Sequence, residues 1–537
     1  MQADLVVRGG RIFTADPSGP FVSAVAISAD RIVALGAEAG EMARLASRAI
    51  DLDGALATPG FIDAHVHPAT SGLDKLRCHF DDAGDVDSVV ETIAAYVVAN
   101  PDLPWIIGAG WPQSWFPNGC PSKEVLDRIV PDRPALITNT DGHGAWANSK
   151  ALEIAGITRD TPDPPDGRIE RLPEGSPQGT LHEGAIRLVE RHAPEDTVDD
   201  LEAGLLRGQQ ELLQYGITGW QDAIVTEKIQ DAYLRIAGDD RLIGRVVGAM
   251  WWDRNRGLEQ IHELVARRER GAGRFQATSV KLMLDGVVEN FTASMLEPYL
   301  GESGRSTGNT GIDFIDPEEL NQIVGFLDDH DFQCHFHAIG DRGVRNALDA
   351  IEAARDRNGP SDNRHHIAHV QVIHPDDIGR FALLEAIANA QPLWANNDDY
   401  QTELTRPFIG EERFRWQYPF RSLLARDAQM GMGSDWGVST ANVMEEIHVA
   451  VTRTWTDDQE PFGLEEALDP IDALTAFTAG SAYINHAEKD TGSIAVGKLA
   501  DLAILDRDPL REGAFRETQV AATIVGGEIV YEGKANG

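Results

Sequence analysis

The chain predicts an α/β fold built on a (β/α)8 barrel, and three observations carry that prediction. Short apolar runs alternate with helical stretches through the middle of the 537 residues, the pattern of βα units that make a parallel sheet. The runs are TPGFIDAHVH, GITGWQD, GRVVGAMWW, SVKLMLDG, FQCHFHAIGD, HHIAHVQ, ANAQPLW and AQMGMGSDW, and eight strands is the number that closes such a barrel. Histidine, lysine and aspartate recur near the ends of these runs, where barrel enzymes place their reactive groups.

Taken in order, residues 3–50 read as strands and turns (DLVVRGGRIFT, then FVSAVAISADRIVALG), with Gly and Asp at the breaks. The stretches GSIAVGKLADLAILDRDP and AATIVGGEIVYEG near the other end read the same way. Two β-rich ends around an α/β middle predict a composite β-sandwich from residues 1–57 and 489–537, flanking a barrel at 58–488. About 140 residues separate the first barrel strand from GITGWQD, far more than one crossover helix needs. An inserted α/β subdomain at 70–205, rich in Trp, Pro and Gly, accounts for them.

Composition narrows the function. Hydrophobic content of 42% and charged content of 25% are ordinary for a globular protein. No apolar run reaches the roughly 18 residues of a membrane-spanning helix, and MQADLVVRGGRIF lacks the signature of a signal peptide. The cytoplasm is the expected location. Cys78, Cys120 and Cys334 are few, odd in number and far apart, which fits buried thiols rather than a disulfide framework or a C-x-x-C zinc motif. A net charge of −39 argues against nucleic acid and anionic membranes as partners, since both are polyanions. The acidic excess reads as a solvated surface that aids solubility and says nothing specific about the reaction.

Strand alternation sharpens the candidate site. In FIDAHVH, Phe61, Asp63, His65 and His67 share one face, and Ile62, Ala64 and Val66 share the other. Both imidazoles then point inward at the strand's C-terminal end. In SVKLMLDG the same count turns Ser279, Lys281, Met283 and Asp285 inward. An ammonium inside a barrel is costly to desolvate. Lys281 therefore either pairs with a carboxylate such as Asp285 or, its pKa depressed, reacts with carbon dioxide to give a carbamate ligand. FQCHFHAIGD turns His335 and His337 inward, and HHIAHVQ turns His365 and His369 inward. A lone histidine is usually a satisfied core residue; a series at successive strand ends with one facing reads as ligands for zinc or a related divalent ion. Asp435, in GMGSDWG, follows small residues. It can bind metal and accept a proton from an attacking water, with a turn aspartate as the alternative.

These pieces, with GSIAVGKLADLAILD and DGHGAWANSKAL, resemble the amidohydrolase superfamily, specifically its N-substituted formamide deformylase-like branch, amidohydrolase family 3. The similarity spans essentially the whole chain, and its motifs specify the superfamily far better than a substrate. The resemblance implies a distorted barrel, a composite sandwich and a centre of one or two divalent metals, zinc above all. It places His65 and His67 with Asp435 on the more buried metal, His337 and His369 on the second, and a carboxylated Lys281 between them. Asp435 is the implied general base for hydrolysis of a C–N bond in an amide-type substrate, with an N-substituted formamide as the specific form. His143, in the DGH segment, is the candidate oxyanion donor or substrate-orienting group, with a structural loop role as the alternative. Trp111, with Trp115 and Phe116, either lines an apolar pocket or packs the subdomain core, and Asp285 joins the substrate-side candidates. Cyclic amides, ureas, lactones and esters are alternative substrates, and a catalytically silent metal-binding homologue is the alternative of another class. Homodimers are common in the superfamily.

Overall fold

A computed structural model describes residues 3–80, 83–301 and 303–533. Its centre is a parallel barrel of eight short strands: β1 (Phe61–Val66), β2 (Ile217–Val225), β3 (Arg245–Trp251), β4 (Phe275–Met283), β5 (Gln333–Ala338), β6 (His366–His369), β7 (Ile387–Ala390) and β8 (Met430–Met432). Each pairs with the next, from β1 through β8. The seam between β8 and β1 is closed by the loop after β8 instead of a ladder. Asp435 N donates to His65 O (2.8 Å), and Ser434 donates to the Asp63 carboxylate through N (3.0 Å) and Oγ (2.5 Å). Gly433 allows this approach, since a Cβ there would lie 2.4 Å from His65 N. This seam is the distortion in the barrel.

Amphipathic helices cover the outside. Pro317–Asp329 begins with Asp316 capping the amides of Glu318 and Glu319 and with Pro at the first position, both strong start signals. It buries Leu320, Ile323, Val324 and Leu327 in the same core as the outward-facing Val280, Leu282 and Phe336. Fully burying each such side chain contributes about 1.5–3 kcal/mol.

The two β-rich ends form one hydrogen-bonded sheet. Leu5–Phe13, Phe21–Ser28, Arg31–Leu35 and Leu56–Pro59 join Leu502–Leu505, Val520–Val525 and Glu528–Glu532 in it. The first strand shifts register between Arg8 and Ile12, so its first half pairs with Arg48–Asp51 and its second half with Leu56–Pro59. Gly10 makes this possible, because a Cβ there would meet Ala55 O at 2.2 Å. Residues 534–537, the end of the 489–537 segment, lie outside the described residues.

Between β1 and β2 the chain builds a six-stranded sheet running from Cys78–His79 to Pro177–Glu183. The helices at its two flanks, Pro68–Asp74 and Val198–Gln214, pack on each other through Gly72, Gly204 and Gly208, and a Cβ on Gly72 would stand 2.0 Å from Gly204 O. The inserted sheet thus hangs from a helix pair at the barrel wall, directly above the strand ends that carry the histidines. Among the described residues no helix is long and apolar enough to cross a membrane.

Candidate metal centre

His65 is the penultimate residue of β1 and His67 follows the strand, and the two rings cross edge to face with centroids 5.3 Å apart. The loop after β8 delivers Asp435 to both: Oδ1 stands 3.4 Å from His65 Nε2 and 3.0 Å from His67 Nε2. His369, at the end of β6, places Nδ1 3.9 Å from Asp435 Oδ2, with its ring 4.8 Å from His65 and 4.5 Å from His337. Lys281, on β4, reaches Nζ to 3.5 Å from His65 Nε2. All six residues line one cavity of about 600 Å³ at the C-terminal face of the barrel.

Local backbone aims two of these groups. Asp435 (φ 53°) and His369 (φ 77°) are both left-handed, a conformation that costs a non-glycine residue energy and persists only where the surroundings enforce it. At His369 the bend corrects a count made from the sequence. Regular alternation gives His365 and His369 one face, but His365 points outward: its Nε2 meets Asp328 Oδ1 at 3.2 Å and its Nδ1 accepts from Cys334 N. Asp328 belongs to the outer helix Pro317–Asp329. The inward ring is His366, 4.1 Å from His335, and the left-handed turn at His369 swings that side chain back inside.

Electrostatics make the rings ligands rather than cations. Burial holds His65, His337 and His369 well below the usual imidazole range, and the Lys281 cation adds to this for each of them. They are neutral at neutral pH, as metal-binding imidazoles must be. Burial pushes Asp435 up, but His67, His369 and Lys281 outweigh it and keep the carboxylate below its ordinary pKa. Burial also lowers Lys281 to about 7, against the pull of Asp435. Among the described residues no carboxylate forms an ion pair with Lys281. Asp285 is engaged elsewhere, accepting from Ser294 N (2.8 Å), Ile339 N (3.0 Å) and Gly340 N (2.9 Å).

The donor set fits a divalent ion. His65, His369 and Asp435 each offer a ligand atom within 4.8 Å of the others. Both ring nitrogens of His369 are buried without a hydrogen bond, and the nearest polar neighbours of Asp435 Oδ1 are the imidazoles of His67 (3.0 Å) and His65 (3.4 Å). A buried polar atom left unpaired costs about 1–3 kcal/mol. Several at one point, all lone-pair donors, form a place for a cation.

The remaining predicted site residues divide. His143 lines the same cavity, 5.5 Å from the His337 ring, and its Nδ1 lies 3.0 Å from both oxygens of Glu183. Burial opposes a charged His143, but Glu183 outweighs it and raises the imidazole to about 9. Trp111 does not reach the cavity. It is fully buried in the inserted sheet, donates Nε1 to Ile137 O and packs against Phe116 and Trp146. Asp285 lies beneath the rim, 3.7 Å from His337 Nε2. Trp251, Trp394 and Trp436 supply the apolar wall instead, with Trp394 stacked on His369 at 5.2 Å.

Three residues at the centre carried no distinctive motif. Glu183 is held ready by Thr292 Oγ1 (2.8 Å), Asp63 ties the seam, and His335 Nε2 sits 2.8 Å from His65 Nδ1. Inward parity marks Asp63 and His335 in the sequence, and nothing marks Glu183.

A parallel barrel with imidazoles and a carboxylate at its C-terminal rim, their lone pairs unspent, defines a metal-dependent hydrolase. The chain matches the amidohydrolase family over residues 48–531 and belongs to that family. It is 31% identical to Protein LONG AFTER FAR-RED 3 of Arabidopsis thaliana, over 98% of this chain and 92% of that one. It is 28% identical to the N-substituted formamide deformylase of Arthrobacter pascens, over 98% of each. An uncharacterized metal-dependent hydrolase from Pyrococcus horikoshii OT3 shares the fold with a TM-score of 0.74 at 25% identity, covering 95% of this chain and 99% of that one.

Proposed function

We propose that the protein hydrolyses a C–N bond in an amide-type small molecule, with an N-substituted formamide as the first substrate to try. The observation that carries this reading is the set of open donor atoms on His369 and Asp435 beside His65, His67, His337 and a Lys281 that no carboxylate pairs among the described residues. When bound, one or two divalent ions, zinc first, supply Lewis-acid chemistry, acidifying a water and polarising the scissile carbonyl. His65, His67, His337, His369 and Asp435 would hold the metal. Lys281, lowered to about 7 by burial, has a substantial neutral fraction at neutral pH and would be suited to take up carbon dioxide and offer the carbamate as an anionic ligand.

Asp435 accepts the proton of the attacking water on its carboxylate and returns it to the leaving nitrogen. His143, charged through Glu183, donates toward the oxygen on which negative charge develops. Trp251, Trp394 and Trp436, with Met283 and Val287, give the cavity an apolar side that suits a hydrophobic or aromatic group on the amide nitrogen.

A panel of N-aryl formamides, acyl amides, hydantoins, ureas and lactones tests this on the metal-replete chain. Turnover of open-chain amides is expected; ring-opening alone removes the deformylase reading. No turnover at full metal content identifies a silent homologue.

A further inference from the structure

A second cluster of metal-capable side chains lies in the inserted sheet, away from the barrel centre. We propose that Cys120, Glu170 and His182 form a separate cation site, suited to zinc or a similar borderline-soft divalent ion, which clamps this sheet.

The fold assembles the three from different segments. Strands Gly167–Arg171 and Pro177–Glu183 run antiparallel with Arg168 opposite His182, so Glu170, His182 and Thr180 face the same way. Thr180 Oγ1 donates to Pro121 O and Gln178 Nε2 to Cys120 O, both at 2.9 Å, which lays the loop after Pro117–Gly119 across that face. His182 Nε2 then stands 3.2 Å from Glu170 Oε1 and 3.9 Å from Cys120 Sγ, and all three donor atoms lie within 4.8 Å of one another. Ligands bonded at about 2.0–2.3 Å in tetrahedral array are about 3.3–3.8 Å apart, so small shifts would seat an ion. Neither Cys78 nor Cys334 belongs to such a group among the described residues.

The surroundings suit a ligand set. Arg168 donates to Glu170 Oε1 from Nε (2.7 Å) and Nη2 (2.6 Å), orienting the carboxylate as outer partners of metal ligands do. Burial alone would raise Glu170, but His182 and Arg168 outweigh it and bring the group to about 2, so it is ionised. His182 is 1% exposed, its Nε2 faces Glu170 and its Nδ1 has no hydrogen-bond partner, so an arriving ion would take the Nε2 lone pair once the proton moves to Nδ1. Burial lifts the Cys120 thiol to about 12, so binding expels a proton and tightens as pH rises. Cys120 is half-buried, leaving room for a water or a fourth ligand. An ion here would tie the loop carrying Trp115 and Phe116 to the strand that ends in Glu183, the partner of His143.

The test uses the full chain, stripped with chelator and reloaded with cobalt(II) or zinc. The barrel centre contains no cysteine, so a sulfur-to-cobalt charge-transfer band reports this site alone. The wild type is expected to show the band and to hold one metal equivalent more than Cys120→Ala, which loses the band and keeps its hydrolytic rate. Zinc should raise the Tm of the wild type more than that of the variant. His182→Gln should lose the same equivalent while keeping the thiol, separating a bound ion from a merely reactive cysteine. Absence of the band in the wild type, or equal metal content in the wild type and Cys120→Ala, overturns the proposal.

Discussion

The two ends of the barrel interior treat their buried polar side chains differently. At the lower end Gln333 donates Nε2 to Arg364 O and Ile484 O (2.8 Å each), and its Oε1 accepts from Gln221 Nε2 (3.0 Å), which also reaches Asn485 Oδ1 (3.1 Å), leaving Gln221 Oε1 as the one open atom of this group. At the upper rim both nitrogens of His369 and Nδ1 of His335 have no hydrogen-bond partner, and Oδ1 of Asp435 meets only the imidazoles of His65 and His67. Leaving such groups unpaired is expensive. A side chain that closes its own hydrogen bonds specifies and stabilises the fold, whereas a set held open at one point specifies a ligand. Burial does not make this distinction, since both sets are almost fully buried; what marks the rim is that its open lone pairs converge on one point.

The largest expected effect tests the open end. Asp435→Asn keeps size and most of the local hydrogen bonding but removes the proton acceptor, so kcat should fall on the order of 10²–10⁴-fold while the fold persists. Steady-state kinetics with circular dichroism and metal analysis checks this. An unchanged rate would move the general base elsewhere.

Lys281→Ala comes next. Loss of a bridging ligand should lower metal affinity by about 10–100-fold, and short carboxylic acids added in solution should restore part of the rate by supplying an anionic oxygen. Metal content under limiting zinc, with and without acetate, gives the answer. Full metal retention would make Lys281 a buried amine with no ligand role.

At the closed end the expectation reverses. Gln333→Leu leaves two carbonyls and the Gln221 amide short of a partner, so stability should fall by about 1–3 kcal/mol with no change in turnover beyond the fraction unfolded. Denaturant titration beside activity assays measures both. A selective loss of activity would break the division between the two ends.

How much of this the sequence displayed depends on backbone regularity. The facing of His65, Lys281 and His337 follows from simple alternation because β1, β4 and β5 run extended through those residues. His369 defeats the count, since a non-glycine residue in the left-handed region bears no mark in the sequence. Trp111 was ambiguous for another reason: in the inserted sheet both faces are apolar, one packing Trp111, Phe116 and Trp146, the other Ala145, Leu181 and Ile169. Periodicity then cannot say which face meets the cavity. Glu183 has no motif at all, because its role comes from contacts with His143 and Thr292, 40 and 109 residues away.

The smallest effect lies just outside the barrel, at the group that holds the misread His365. Burial would raise Asp328, but hydrogen bonds from His365, Asn358, Ser361 and Asn363 outweigh it and hold the carboxyl well below its ordinary value. A folded-state pKa below the unfolded one means that the ionised form stabilises the fold. The contribution is complete above the ordinary aspartate range, near pH 4 and upward, and disappears as pH falls through the lowered folded value. Asp328→Asn should therefore cost about 1 kcal/mol at neutral pH, and the stability curves of variant and wild type should converge in acid. Denaturant midpoints across a pH series would show the convergence; parallel curves would mean that Asp328 acts through shape and hydrogen-bond count rather than charge. Turnover at neutral pH should not change, because this carboxylate belongs to the satisfied side of the division.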